Sequence, residues 1–215
     1  MTAGTEGSGE DLATESTEDL TEELEEDLAA MGVAPEPWLV VIDPQTLFAD
    51  PAASPWGSPM FADVVATIRR LVDAHPGRVV ITRFVADEEP TGSWVPYYRE
   101  WPFAQVPDAD PLYAVVPELT DVDALVVTEP TFGKWRDMLQ AVVGETPHLR
   151  LAGVATDCCV IATALPAADD GAFVEVVTDA CAGSTPENHA LALQQMALFS
   201  PQVTQVTAVQ VLDPS

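Results

Sequence analysis

Two adjacent thiols, Cys158 and Cys159, stand in the run Leu151-Ala152-Gly153-Val154-Ala155-Thr156-Asp157-Cys158-Cys159-Val160, where an apolar strand stops and a helix starts. A sulfur at a helix N-terminus feels unpaired amides equivalent to roughly half a positive charge, which draws a thiol pKa below its free value of about 8.5. That makes a nucleophile candidate; two small apolar residues packed inside a helix are the plainer alternative. A nucleophile needs a proton acceptor and a charge that holds the thiolate. Asp43, in Ile42-Asp43-Pro44-Gln45-Thr46-Leu47-Phe48, and Lys134, in Thr128-Glu129-Pro130-Thr131-Phe132-Gly133-Lys134-Trp135, offer one of each. Asp43 also suits a turn or helix cap, and Lys134, the only lysine of the chain, a solvated first helical turn.

These residues follow apolar runs that must bring them together. Trp38–Ile42, Arg78–Thr82, Leu125–Thr128, His148–Gly153 and Phe173–Thr178 read as buried strands, with Val203–Val206 as a sixth. Helical periodicity covers Phe61 to about Ala74, Trp135–Val143, Cys159–Asp170 and Pro186–Leu198. Continuous apolar strands alternating with helices predict a three-layer α/β domain, a parallel sheet covered on both faces, with reactive groups at the strands' C-terminal ends. Asp43, Glu129 and the cysteine turn are such ends. Pro166, inside the helix after Cys159, predicts a kink. From Phe84 to Leu119 the pattern lapses into a segment with many prolines and aromatic residues, expected to be a lid or specificity segment. Its Trp94, Tyr97 and Tyr98 fit packing in a lid or a subunit interface.

Residues 1–36 form an acidic stretch whose composition predicts a disordered tail, with the functional domain at residues 37–215. Leu20, Leu24 and Leu28 recur every four residues there, so a short docking helix is the alternative. The first thirty residues hold eleven carboxylates and no Lys or Arg, out of a net charge of −27, so acidity belongs to the whole chain. With eight Lys and Arg in total, nucleic acid is excluded as a partner. No run of about 18 apolar residues predicts a membrane span, and no basic, apolar leader opens the sequence. Three cysteines, two of them adjacent, make no disulfide framework. A cytoplasmic protein acting on a small molecule is expected.

From about Trp38 to Val206 the sequence resembles the isochorismatase-like cysteine hydrolases. The likeness rests on Asp43-x-Gln45-x-x-Phe48, on Gly153-Val154-Ala155-Thr156-Asp157-Cys158-Cys159-Val160-x-x-Thr163-Ala164, and on Val177-Thr178-Asp179-Ala180-Cys181. It implies a sheet of about six mostly parallel strands flanked by helices, and a homo-oligomer, dimer or tetramer. It also implies that Cys159 is the nucleophile, that Asp43 takes its proton, and that a thioester forms and is hydrolysed. A cis peptide before Ala155 would aim the amides of Ala155 and Cys159 at one oxyanion. Phe48 and Trp101 match positions that pack around substrate rings, and Arg83 could meet a substrate carboxylate or form an ordinary ion pair. An amide, carbamoyl or ureido substrate is favoured; the cysteine argues against vinyl ether cleavage.

Two departures stand out. Glu129 fills the place where the family's lysine is expected, and Lys134 comes five residues later. Either Lys134 reaches back into the site, or Glu129 meets the thiol or substrate and the protein is catalytically altered or a binding protein. The metal-bearing members hold their ion through His residues after the second strand, but residues 84–119 contain none. His75, His148 and His189 are expected to be structural, so neither a metal site nor another cofactor is predicted.

Overall fold

The apolar runs are too continuous for a sheet with one wet face. In the computed structural model, which describes residues 36–144 and 146–213, they pair as one parallel sheet. Its strands are β1 (Trp38–Ile42), β2 (Val79–Phe84), β3 (Leu125–Glu129), β4 (His148–Val154), β5 (Phe173–Ala182) and β6 (Val203–Val206), in the order β3-β2-β1-β4-β5-β6. Alternate residues of β1 enter different layers. Leu39 and Val41 pack with α2 (Phe61–Asp73), while Val40 and Ile42 pack with α4 (Asp137–Val143), α5 (Ile161–Asp169) and α6 (Pro186–Ala197). The α2 stripe shows why it docks: Phe61, Val64, Ile68, Leu71 and Val72 fall on one helical face, and all are buried. Truncating the fully buried Ile68 to Ala would cost about 2–5 kcal/mol.

This strand order fixes the site. From β1 the chain runs outward to β2 and β3, then returns to add β4, β5 and β6 on the other side. Helices leaving β1 and β4 therefore diverge, opening a crevice at the C-terminal ends of these two neighbours. Asp43 and the cysteine turn stand at that crevice, with the end of β3 two strands from β1.

Several elements run further than their sequence pattern. β5 continues to Ala182 past the polar pair Thr178-Asp179, because β4 shifts register between Leu151 and Gly153 and pairs again at Gly153 with Cys181 and Val154 with Ala182. The helix expected from Cys159 begins at Ile161, after a wide turn over Thr156–Val160. Between β2 and β3 the expected irregular segment holds α3 (Trp94–Glu100) and three single 3-10 turns, each opening on a proline: Pro102–Ala104, Pro111–Tyr113 and Pro117–Leu119. It is braced internally and joined to the end of β1. The Tyr113 hydroxyl accepts from the Ala86 amide at 3.0 Å and donates to the Ala104 carbonyl, and the Val116 amide donates to Pro44 O at 2.9 Å. Two short helices had no periodic signal: α1 (Thr46–Ala49) and α7 (Ala208–Leu212), the latter opened by a Thr207/Gln210 capping box. The expected acidic tail, with Leu20, Leu24 and Leu28, lies outside the described residues, among which no helix is long and apolar enough to cross a membrane.

Candidate active site

Asp43 is the first residue past β1, and its backbone is left-handed, with φ 45°. Asp tolerates that region better than most residues, and the turn swings its carboxylate over the strand ends. Thr82 holds it from β2: the Thr82 hydroxyl donates to Asp43 Oδ1 at 2.7 Å and accepts from the Asp43 amide at 3.0 Å. Gln45, fully buried, locks the same turn to the specificity segment. Its Nε2 donates to Phe84 O (3.0 Å) and Tyr113 O (2.8 Å), and its Oε1 accepts from the Phe84 amide (2.7 Å).

Lys134 reaches back. Its Nζ lies 3.0 Å from Asp43 Oδ2 and donates to the carbonyls of Thr131 (2.8 Å) and Glu129 (3.3 Å). The two carbonyls accept hydrogen bonds from the ammonium and the Asp43 carboxylate pairs with it by charge, so the ammonium is compensated in place although neither it nor Asp43 is exposed at all. It also lies 5.4 Å from the centre of the Phe84 ring. Glu129 contributes its backbone only: its carboxylate turns away to Arg136, with Oε2 3.3 Å from Nε. The expectation that Glu129 meets the thiol or substrate is therefore corrected. The five-residue offset is absorbed by the 129–134 turn, which carries the ammonium back over the strand end.

The cysteine turn is shaped by two close approaches. Gly153 has φ +110°, and a Cβ there would lie 2.2 Å from Ile42 O, so only glycine lets β4 pass β1 at this point. The next peptide bond but one, Val154–Ala155, is cis. Beyond it, the Ala155 carbonyl accepts from the amides of Cys158 (3.0 Å) and Val160 (3.1 Å), one on each side of Cys159. Thr163, one turn into α5, links the two halves of the site: its hydroxyl donates to Cys159 O at 2.7 Å and accepts from the Lys134 amide at 2.9 Å. Pro166 acquires a role beside it. Lacking an N–H, it leaves Ala162 O without its helical donor, and Gly133 packs against that carbonyl so closely that a Cβ would lie 2.5 Å away.

The Cys159 thiol is 3% exposed, while Cys158 is half-buried at the cavity. A hydrogen bond with Cys158, burial and the Asp43 charge push the Cys159 thiol well above the ordinary range, against the pull of Lys134. The same hydrogen bond pushes the Cys158 thiol down. Burial and the neighbouring carboxylate thus oppose the helix-end field expected to draw the Cys159 pKa down. The amides that were to stabilise a thiolate there are outweighed by the lack of water and by a carboxylate beside it.

Over the sulfurs opens a cavity of about 210 Å³. Phe48, Ala155 and Cys159 line it as expected, and so do Trp56, Phe84, Tyr97 and Phe132. Trp56 is the hub, stacked on Phe48 at 6.0 Å and tilted against Tyr97 at 5.8 Å. Its turn-rich surroundings, Ser54-Pro55-Trp56-Gly57, gave no periodic signal. Tyr97, expected to pack in a lid or between subunits, faces the cavity. Trp101 stands one layer out, edge-on to Trp56 at 5.9 Å, and Arg83 pairs with Asp108 at 2.6 Å; neither lines the cavity. The histidines have polar partners. His189 meets the Thr156 hydroxyl through Nδ1 at 2.8 Å, His75 contacts Leu71 O and Arg150, and His148 pairs with Glu175. Among the described residues, no three of His, Cys, Asp or Glu are placed to hold a metal ion together, so the residues present do not fit one.

Comparison with curated proteins gives no match. Among solved structures, a cysteine hydrolase from Pseudomonas syringae pv. phaseolicola is similar with a TM-score of 0.70 and 20% identity, over 82% of this chain and 90% of that one. An isochorismatase family protein from Desulfovibrio vulgaris gives 0.69 and 22%, over 83% and 97%. The pyrazinamidase of Pyrococcus horikoshii, solved in complex with zinc, gives 0.62 and 24%, over 80% and 99%. At these identities the structures establish the shared fold. The Isochorismatase domain model matches residues 37–210, which span the whole sheet and every residue of the site, and so the chain belongs to the isochorismatase domain family of hydrolases.

Proposed function

We propose that the protein is a cysteine hydrolase of small amide, carbamoyl or ureido compounds. The observation that carries this is the fully buried ion pair of Lys134 and Asp43 at 3.0 Å, placed where both charges act on the Cys159 thiol. Burying two charges costs several kcal/mol each before their attraction offsets it, and a purely apolar contact would serve stability as well. Their presence at a strand-end crevice therefore points to chemistry.

In the proposed cycle the neutral Cys159 thiol attacks the substrate carbonyl carbon as its proton passes to Asp43. The carbonyl π pair moves onto oxygen, which the amides of Ala155 and Cys159 receive. Lys134 stabilises the negative charge left outside Asp43 once the carboxylate is neutral, and its hydrogen bonds to the Glu129 and Thr131 carbonyls hold the ammonium beside Asp43. When the oxyanion collapses, the C–N bond breaks and Asp43 returns its proton to the leaving nitrogen. Water then attacks the thioester, giving its proton to Asp43; the acid departs and the thiol is restored. A raised thiol pKa suits this course, because proton transfer accompanies attack instead of preceding it.

Oligomerisation belongs to the same proposal. Leu125 and Val126 on the edge strand, and Leu191 and Leu198 on or beside α6, are more than half exposed, and a monomeric mass by light scattering would remove this part. The catalytic part is tested with activated amides or esters. Cys159→Ala should abolish turnover with the fold intact, whereas Cys158→Ala should retain activity within about tenfold. Equal losses in the two variants would overturn the assignment.

A further inference from the structure

Resting on the hydrolase reading, we infer that the site selects its substrates by charge: it takes neutral or cationic acyl compounds and rejects those that carry a carboxylate. Among the described residues lining the cavity, Asp157 is the only one with a charged side chain; the other walls are mostly aromatic rings and small residues. Asp157 is fixed, with Oδ1 accepting from the Ser184 amide at 2.7 Å and Oδ2 from the Ser184 hydroxyl at 2.6 Å. Asn188 steadies that hydroxyl in turn through Nδ2 at 2.9 Å. The carboxylate is thus a positioned, partly exposed negative charge beside Cys158 and Cys159, with lone pairs to spare.

Among the described residues lining the cavity, no cation answers it. Lys134 has no exposed surface, pairs with Asp43 by charge and donates to the Glu129 and Thr131 carbonyls. Arg83 is committed to Asp108 at 2.6 Å outside the cavity lining, and Arg136 to Glu129 at 3.3 Å on the surface. An acyl group joined to Cys159 must extend along the faces and edges of Trp56, Phe48 and Tyr97. Ring faces attract cations and accept apolar groups, but they offer nothing to a carboxylate. A carboxylate entering here would lose water without gaining a cationic partner, next to a like charge. The overall charge of −27 further lowers the local concentration of anions.

The test uses p-nitrophenyl esters of three acids of similar size: tert-butylacetic acid (neutral), glycine betaine (cationic) and succinic acid (anionic). Each kcat/KM is divided by the ester's own rate of hydroxide hydrolysis, after subtraction of the uncatalysed release, which for the succinyl ester includes expulsion of nitrophenolate by its own carboxylate. The neutral and cationic esters should exceed the succinyl ester by about tenfold or more at low salt, the scale of one partly exposed like charge beside the bound group. Asp157→Asn should narrow that ratio at least fivefold. Because the ratio is taken within each variant, a general loss of activity cancels. A succinyl ester within about threefold of the neutral one, or a ratio unmoved by Asp157→Asn, overturns charge selection and leaves the hydrolase reading standing. Failure of all three esters to acylate the protein would overturn both.

Discussion

Removing the Lys134 ammonium should destabilise the protein more than almost any other single change at its strand ends. At 3.0 Å and an effective dielectric near 20, the attraction between Lys134 and Asp43 is about 5 kcal/mol, and single-sided loss of a buried pair costs about 3–5 kcal/mol. Lys134→Met keeps the side-chain length and the backbone bond to Thr163, but leaves the Asp43 carboxylate buried without a charge partner and the Glu129 and Thr131 carbonyls without their donor. Asp43→Asn leaves the ammonium uncompensated. The double variant removes both charges, so its loss should fall short of the sum of the single losses by about 2–4 kcal/mol. Urea unfolding followed by tryptophan fluorescence measures the cycle. In the same three variants kcat should fall together, with the double no worse than the single ones, since the groups act as a unit. A coupling under about 1 kcal/mol, as for solvent-exposed pairs, would refute the reasoning.

Thr163→Val breaks both hydrogen bonds of the bridge between Cys159 and Lys134. It should lower kcat by about tenfold or more with little change in KM, and Thr163→Ser should restore it; equal kcat in the two variants would remove the bridge. Gly153→Ala must accommodate a Cβ 2.2 Å from Ile42 O at φ +110°, so a folded, active variant in expression and melting assays would contradict the β1–β4 packing. Glu129→Gln should change stability by less than about 1 kcal/mol, because it removes only a partly exposed pair with Arg136. Burial pushes the Cys181 thiol up to about 12, above its unfolded value, so its stabilising contribution is complete below the unfolded pKa and declines as pH rises toward 12. Unfolding free energy should therefore drop by about 1.4 kcal/mol per pH unit from this group above pH 9, and Cys181→Ala should lack that component.

The sheet was legible because each strand is an apolar run bounded by polar residues, and the two-sided burial of β1 follows from Trp38-Leu39-Val40-Val41-Ile42 alone. Asp43 and Cys159 could be named from strand ends and a motif that includes both. The path of Lys134 could not be read, because it depends on how a turn of five residues folds back, which leaves no periodic trace. Trp56 was hidden for a related reason: it lies in a turn-rich stretch, and its importance arises from rings contributed by Phe48, Phe84 and Tyr97 elsewhere in the chain. Arg83 and Trp101 failed the other way. Their positions relative to the strands were right, but Asp108 and Trp56 intercept them before the cavity. The state of the thiol escaped too, since a helix-end field is a local property, while burial and the Asp43 charge are products of the fold.

The central claim is that Cys159, and no other sulfur, carries the acyl group. Mixing the protein with a p-nitrophenyl ester, quenching in acid within the first turnover and mapping the mass increase by peptide mass spectrometry tests it directly. The acyl mass should reside on Cys159, appear with a burst of nitrophenolate, and be absent in Cys159→Ala but present in Cys158→Ala. An acyl group found on Cys158, or turnover that persists in Cys159→Ala, would contradict the account.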